Sequence, residues 1–305
     1  MDERFDVVIV GSGLGGLECG VILSREGYKV LVLEKNKQLG GNLQTFSRDK
    51  RIFDTGIHYI GGLDKGQNLY QYFKYLGIMD DLKLQRMDND GYDIISFAGE
   101  EKEYRHAQGY DNFIEQLAQD FPNERQNIVA YCEKMREVCD TFPMYNLQQS
   151  SMDLQNMPYL DINAHDYIAS VTSNKKLQKV LAGSNVLYAG DADKTPLYVH
   201  ALVVNSYIES AYRCVNGSTQ IAKGLTKIIL NNGGKVLKHA HVEKFHFDGS
   251  NIDYVALKDG RRFYGKDFIS NIHPAVTLDM VEEGKVRSAY RKRITSSDNT
   301  SIGLH

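Results

Sequence analysis

Apolar and polar positions change period three times along this chain of 305 residues. It begins with a nearly unbroken apolar run, Phe5-Asp6-Val7-Val8-Ile9-Val10, as in a strand buried on both faces. Gly11-Ser12-Gly13-Leu14-Gly15-Gly16 interrupts it, a helical stretch follows, and a second run from Lys29 through Val30-Leu31-Val32-Leu33 ends at Glu34. Strand, glycine turn, helix and strand in that order predict a parallel βαβ unit.

From about residue 68 the period becomes helical. Leu69, Tyr72, Phe73 and Leu76 share one face and Gly77 stops it. Tyr92 to Tyr104 alternates like a hairpin turning at Ala98-Gly99. Asp111 is placed to cap a helix carrying Ile114, Leu117 and Phe121, which Pro122 ends. Further helices are predicted over 124–140, 164–171, 174–181 and 197–212, with the polar stretch 146–157 as a linker. Past Tyr212 the α/β pattern returns. Ser218 precedes a helix with Ile221, Leu225, Ile228 and Ile229 on one face, and 235–239 is a short strand. A meander follows through Phe245, Phe247 and 252–257, a two-residue turn at Asp259-Gly260, and two short strands over 261–265 and 267–271. Arg287 to Arg293 reads as a helix with a solvated basic face, and 301–305 as the start of a strand.

The glycine turn is the first candidate for chemistry. Gly11 permits the tight turn, Gly13 lets a pyrophosphate approach the backbone, and Gly16 lets the helix pack close. The amides opening that helix suit a diphosphate. Glu34 ends the second strand, where a carboxylate accepts hydrogen bonds from ribose hydroxyls. That fits NAD and FAD equally. The absence of a second GxGxxG and the Gly40-Gly41 pair after the acidic cap favour FAD. Arg51 to Gly62, Gly-rich and polar-aromatic, shows no clear period and reads either as a functional loop or as a surface turn containing His58.

Composition narrows the picture. Thirty-six basic and thirty-nine acidic residues give a net charge of -3, which implies no nucleic-acid partner. The longest apolar runs are far short of a membrane span, and no secretory leader is read, so a cytoplasmic location is expected. Cys132 and Cys139 fall on one helical stripe with Ile128 and Met135, about 10 Å apart and too far for a disulfide. With Cys19 and Cys214 they read as reduced structural thiols, and no metal site is expected.

Gly11 to Gly41, followed by Phe53-Asp54-Thr55-Gly56-Ile57-His58-Tyr59-Ile60-Gly61, resembles the retinol saturase and phytoene desaturase flavoproteins, carotenoid desaturase-like members of the amine-oxidase-like FAD fold. Arg213 to Ser218 is similar to their second Gly-Ser segment, with Asn216 where relatives commonly carry glycine. Val242 to Phe245 and Ile269 to Pro274 resemble their later nucleotide-domain strands. The resemblance implies an α/β fold: a Rossmann-type FAD-binding domain (1–67 and 211–280) with an inserted mixed α+β substrate domain (68–210). Residues 281–305 would begin a return to the substrate domain. Members of that family are longer, so the chain is expected to be truncated at its C-terminus, without a late glycine segment that closes over the flavin.

The same resemblance places Gly11, Gly13 and Gly16 on the pyrophosphate, Glu34 at the adenosine ribose and Val242 at the adenine, with Lys35 also among the cofactor-binding residues. Gly40 and Gly41 would border the flavin, with Asp54 and Gly56 near its ring. His58 and Tyr59 are the candidate catalytic residues, although His58 also reads as a loop-ordering histidine. The implied activity is FAD-dependent oxidation or reduction of a carbon–carbon bond in a hydrophobic polyene, a retinoid or carotenoid, with an external electron donor or acceptor. A peripheral membrane contact through Tyr70, Phe73 and Tyr75 would suit such a substrate. Three other readings remain: an amine-oxidase-like flavoprotein, a non-catalytic isoprenoid-binding escort, and an inactive truncation product.

Overall fold

The computed structural model describes residues 3–149 and 159–296. Strand β1 (Arg4–Val10) leads through the glycine turn to helix α1 (Leu14–Arg25) and strand β2 (Val30–Leu33). Strands β3 (Thr45–Arg48) and β4 (Arg51–Asp54) form a hairpin whose second strand opens the aperiodic stretch 51–62. Its turn residues Asp49 and Lys50 sit at φ +50° and +61°. That geometry favours Asn-Gly, so Asp-Lys gives no sequence signal. The short β5 (Ile60–Gly61), α2 (Asn68–Leu76) and β6 (Leu84–Arg86) come next. The hairpin β7 (Asp93–Ser96) and β8 (Glu103–His106) follows as predicted.

Helix α3 (Tyr110–Asp120) starts from Gly109, and Asp111 lies in its first turn instead of capping it. Helices α4 (Arg125–Asp140), α5 (Ala164–Val171), α6 (Lys175–Leu181) and α7 (Leu197–Glu209) complete the helical block. Asn163 and Asn174 cap α5 and α6 with their side chains. The last helix stops three residues earlier than its pattern, because Ala211–Cys214 forms strand β9 between β5 and β6. Ala211 finds partners there: its amide donates to Gln108 Oε1 at 2.9 Å and its carbonyl accepts from Met87.

Helix α8 (Thr219–Asn231), β10 (Lys235–Leu237), β11 (Val242–Asp248), β12 (Asn251–Leu257) and β13 (Arg262–Ser270) follow, with α9 (Pro274–Asp279) and α10 (Ser288–Thr295) last. The two short strands predicted over 261–271 are one nine-residue strand. Gly265 lies within it, paired with Phe5 of β1, and a side chain there would press on Val8 of that strand at 2.9 Å. The main sheet runs β10-β2-β1-β13-β12-β11. Its β1, β2, β10 and β13 pairings are parallel, and the meander β11-β12-β13 is antiparallel.

Two compact units result. The first takes in residues 3–58, 73–83 and 214–296, with Val8, Leu31, Leu33, Phe245 and Val255 in its core. The second takes in 59–72, 84–149 and 159–213, with a core of Phe113, Leu117, Tyr131, Met135, Val180 and Ala201. These boundaries differ from the sequence expectation at four places, two of them being 59–67 and 211–213, which fall in the second unit. Residues 73–83 go with the first unit, where Arg25 donates to the carbonyls of Tyr75 and Leu76. Residues 281–296 stay there too, since Arg291 of α10 donates to the carbonyls of Leu278 (2.6 Å) and Val281 (3.2 Å). Residues 150–157 of the expected linker and the expected strand over 301–305 lie outside the described residues.

All four cysteines are free thiols. Cys132 and Cys139 are buried in the second core, and burial pushes both thiols up to about 12.

Candidate functional site

The glycine turn joins the C-terminal end of β1 to α1 and is held from three sides. Gly11 sits at φ +98°, and its amide donates to Leu33 O of the adjacent strand at 2.8 Å. A Cβ at Gly16 would strike the carbonyl oxygen of Gly11, so this position requires glycine. Helix α1 opens at Gly13 with no side-chain cap, which leaves its first amides open to an anion. Gly40 and Gly41, at φ +109° and +57°, close on the turn. The Gly40 amide donates to Ser12 O at 3.0 Å, and a Cβ at Gly41 would lie 3.1 Å from Gly13 Cα.

Glu34 is only 6% exposed and fastens this arrangement. Its Oε2 accepts from the Ser12 amide (3.1 Å) and hydroxyl (2.6 Å), and its Oε1 accepts from the Asn36 amide (2.8 Å). A carboxylate offers about four acceptor positions, so one remains for a ribose hydroxyl. The turn, the open helix end and the remaining acceptor fit a dinucleotide. Ser12 escaped the sequence reading. Its signal is a hydroxyl between the first two glycines with a carboxylate at the end of the neighbouring strand. Lys35 follows in an exposed position. The Ala240 amide donates to Glu34 O at 2.8 Å, which brings the start of β11 and the buried Val242 to the same strand end.

Asp54 belongs to a second contact group in this unit. It is buried, and its Oδ1 accepts from the Ser218 amide (2.7 Å) and hydroxyl (2.8 Å), tying the end of β4 to the start of α8. The two segments that the sequence marked separately therefore meet. Asn216 takes φ +65°, a left-handed conformation that asparagine tolerates. Gly56 lies against Asn42, where a Cβ would come within 2.8 Å of that side chain.

His58 is exposed and has no hydrogen-bond partner among the described residues. The next residue, Tyr59, falls in the second unit. Its hydroxyl donates to Asp93 Oδ2 at 3.0 Å, and its ring meets Tyr207 edge-on at 4.9 Å. Burial, then the Asp93 charge, raise its phenol well above the ordinary range. The expected membrane-facing trio is corrected at Phe73, which is 2% exposed core, while Tyr75 is 61% exposed. Among the described residues no helix is long and apolar enough to cross a membrane.

The fold and this turn define the class first: an α/β protein built on a Rossmann-like βαβ unit, with an amine-oxidase-like fold. Residues 9–76 match the model of an NAD(P)-binding Rossmann-like domain. An oxidoreductase from Methanosarcina mazei superposes with a TM-score of 0.68 at 19% identity, over 96% of this chain and 65% of that one. A putrescine oxidase variant gives 0.65 at 16%, over 92% and 60%. A Rab GDI from Plasmodium falciparum gives 0.55 at 17%, over 88% and 66%.

The curated relatives are more particular. The human all-trans-retinol 13,14-reductase is 29% identical over 81% of this chain and 43% of its own length. A Danio rerio protein named inactive all-trans-retinol 13,14-reductase is 28% identical over 85% and 45%. Prolycopene isomerase 1 of an Oncidium hybrid is 28% identical over 88% and 48%. The resemblance to retinol saturase and carotenoid desaturase-like proteins is thus borne out along most of the chain. The chain spans less than half the length of these relatives.

Proposed function

We propose that this chain binds FAD and serves an oxidoreductase acting on a carbon–carbon double bond of an apolar polyene. The observation that carries the reading is the clasp of Glu34, Ser12 and Gly40 around the uncapped start of α1. The names of the relatives support the substrate class, a retinoid or carotenoid.

In this reading Gly11, Gly13 and Gly16 and the first amides of α1 hold the pyrophosphate. Glu34 takes a ribose hydroxyl on its remaining acceptor position, beside Lys35, and the Val242 backbone meets the adenine. Gly40, Gly41, Asp54 and Gly56 border the flavin. The bound flavin supplies hydride transfer at N5, with electrons exchanged with a separate donor or acceptor. His58, whose ring nitrogens have no hydrogen-bond partner among the described residues, is the group that passes a proton to the carbon adjacent to the hydride acceptor. Tyr59 positions, because its hydroxyl is committed to Asp93 and held protonated.

Reconstitution with FAD, followed by visible absorbance, tests the first step. A bound-flavin spectrum that Glu34→Ala weakens supports the reading. Retinol and carotenoid assays on flavin-loaded protein then test the substrate. Peroxide release from an amine would move the assignment to an amine oxidase. Prenyl lipid bound by protein that never takes up flavin would make the chain an escort.

A further inference from the structure

A groove of about 490 Å³ lies in the first unit between α8, the edge strand β10 and the loop 37–39, and the proposed nucleotide site makes no use of it. Leu39, Ala222, Leu230 and Val236 contribute its apolar surface. Ala222, Thr226 and Leu230 recur at helical spacing on α8; Ala222 is buried at the floor, as are Ile221, Leu225 and Ile229 on the core side, while Leu230 lies open. Leu230 is 51% exposed, so the groove presents apolar area to solvent.

Charge on this groove has one sign. Lys37, Lys223, Lys227 and Lys238 line it, and no acidic residue does. Lys227 reaches Asp81 only at 3.9 Å, with both side chains 69% exposed. Lys37, Lys223 and Lys238 form no ion pair among the described residues. The whole chain carries -3, so four lysines around one concave apolar surface are a local excess opposite to the overall charge. The concave shape suits a single apolar chain lying along α8 better than a flat bilayer surface, and the volume is within the usual range of small-molecule sites.

We propose that this groove binds a single-chain anionic amphiphile, a long-chain carboxylate. Its tail would lie on Leu39, Leu230 and Val236 and its headgroup on the lysine rim. The proposal stands independently of the flavin reading.

Equilibrium dialysis of radiolabelled palmitate below its micelle concentration provides the test. One palmitate per chain is expected, with hexanoate bound much more weakly. The triple variant Lys37→Gln, Lys223→Gln, Lys238→Gln should bind about tenfold more weakly, since each exposed ion pair contributes modestly. Leu230→Gln should weaken binding severalfold, and added salt should weaken the parent alone. All four positions are exposed, so circular dichroism is expected to remain that of the parent. Unchanged affinity in the triple variant, or equal binding of hexanoate, would overturn the proposal. So would loss in the triple variant of binding to phosphatidylserine vesicles or to an acidic peptide while palmitate binding persists, which would assign the surface to a membrane or a protein.

Discussion

The two compact units handle buried polar groups in opposite ways. In the first, polar atoms gather at a turn and leave capacity open: α1 starts without a side-chain cap, and Glu34 has three donors for about four acceptor positions. In the second, polar side chains close on one another. His200, fully buried, has Tyr131 at 2.7 Å from Nε2 and Tyr188 at 2.7 Å from Nδ1. Tyr110 donates to Asn205, which donates on to Tyr145. The contrast separates polar groups that hold a core together from polar groups still able to meet a ligand. A buried histidine with both nitrogens used does the first, and an open helix end does the second.

The largest effect should come from Gly16→Ala. The added methyl meets the Gly11 carbonyl, backbone that cannot swing away, so a loss of about 3 kcal/mol is expected together with flavin binding. Chemical denaturation and FAD titration measure both. Retention of both would mean that the turn is not the rigid element of the first unit.

Acid should act next, and on the second unit. Burial, with His106 adding to it, lowers the His200 imidazole from 6.5 to about 4. The unfolded chain therefore takes up a proton that the folded chain refuses. Stability is full above about pH 6.5 and declines as pH falls toward 4, by roughly 2 to 3 kcal/mol. Burial also lowers His106, which adds in the same direction. Hydrogen exchange of α4 and α7 across that window checks it, and a flat profile would refute the closed histidine pairings.

Ser12→Ala should cost about 1 to 2 kcal/mol, because it removes a donor to Glu34 and an acceptor for the Gly40 amide. FAD affinity should fall with it. An unchanged affinity would show that Glu34 holds its place without the clasp.

The smallest change sharpens the contrast from its exception. The Tyr92 hydroxyl is buried in the second unit without a hydrogen-bond partner among the described residues. Tyr92→Phe should therefore raise stability by about 1 kcal/mol, read as a shift in denaturation midpoint. A loss of stability would reveal a partner for that hydroxyl.

Much of this organisation is legible in the chain itself. The apolar runs of β1 and β2, the glycines between them and Glu34 fix a parallel βαβ unit, because strands buried on both faces and a turn at positive φ leave few alternatives. The stripe of Ile128, Cys132, Met135 and Cys139 placed two thiols in a core in the same way. Local chemistry was silent where a turn lacks its favoured residues and where partners are distant in sequence. Asp49-Lys50 carries no turn signature, yet β3 and β4 pair across it, with Phe46 stacked on Phe53 at 5.3 Å. Ala211 ends a helical pattern but enters a sheet through Gln108 and Met87.

The candidate site divides along the same line. Sequence alone determined which residues form the glycine turn, since glycine's freedom and a terminal carboxylate are properties of the residues themselves. Only the tertiary structure decided what each side chain does. It gave Glu34 the serine, gave Asp54 the Ser218 turn, buried Phe73, and left His58 open while Tyr59 closed on Asp93. A hydrogen bond joining residues far apart in sequence exists only once the chain has brought them together, and no local pattern records it.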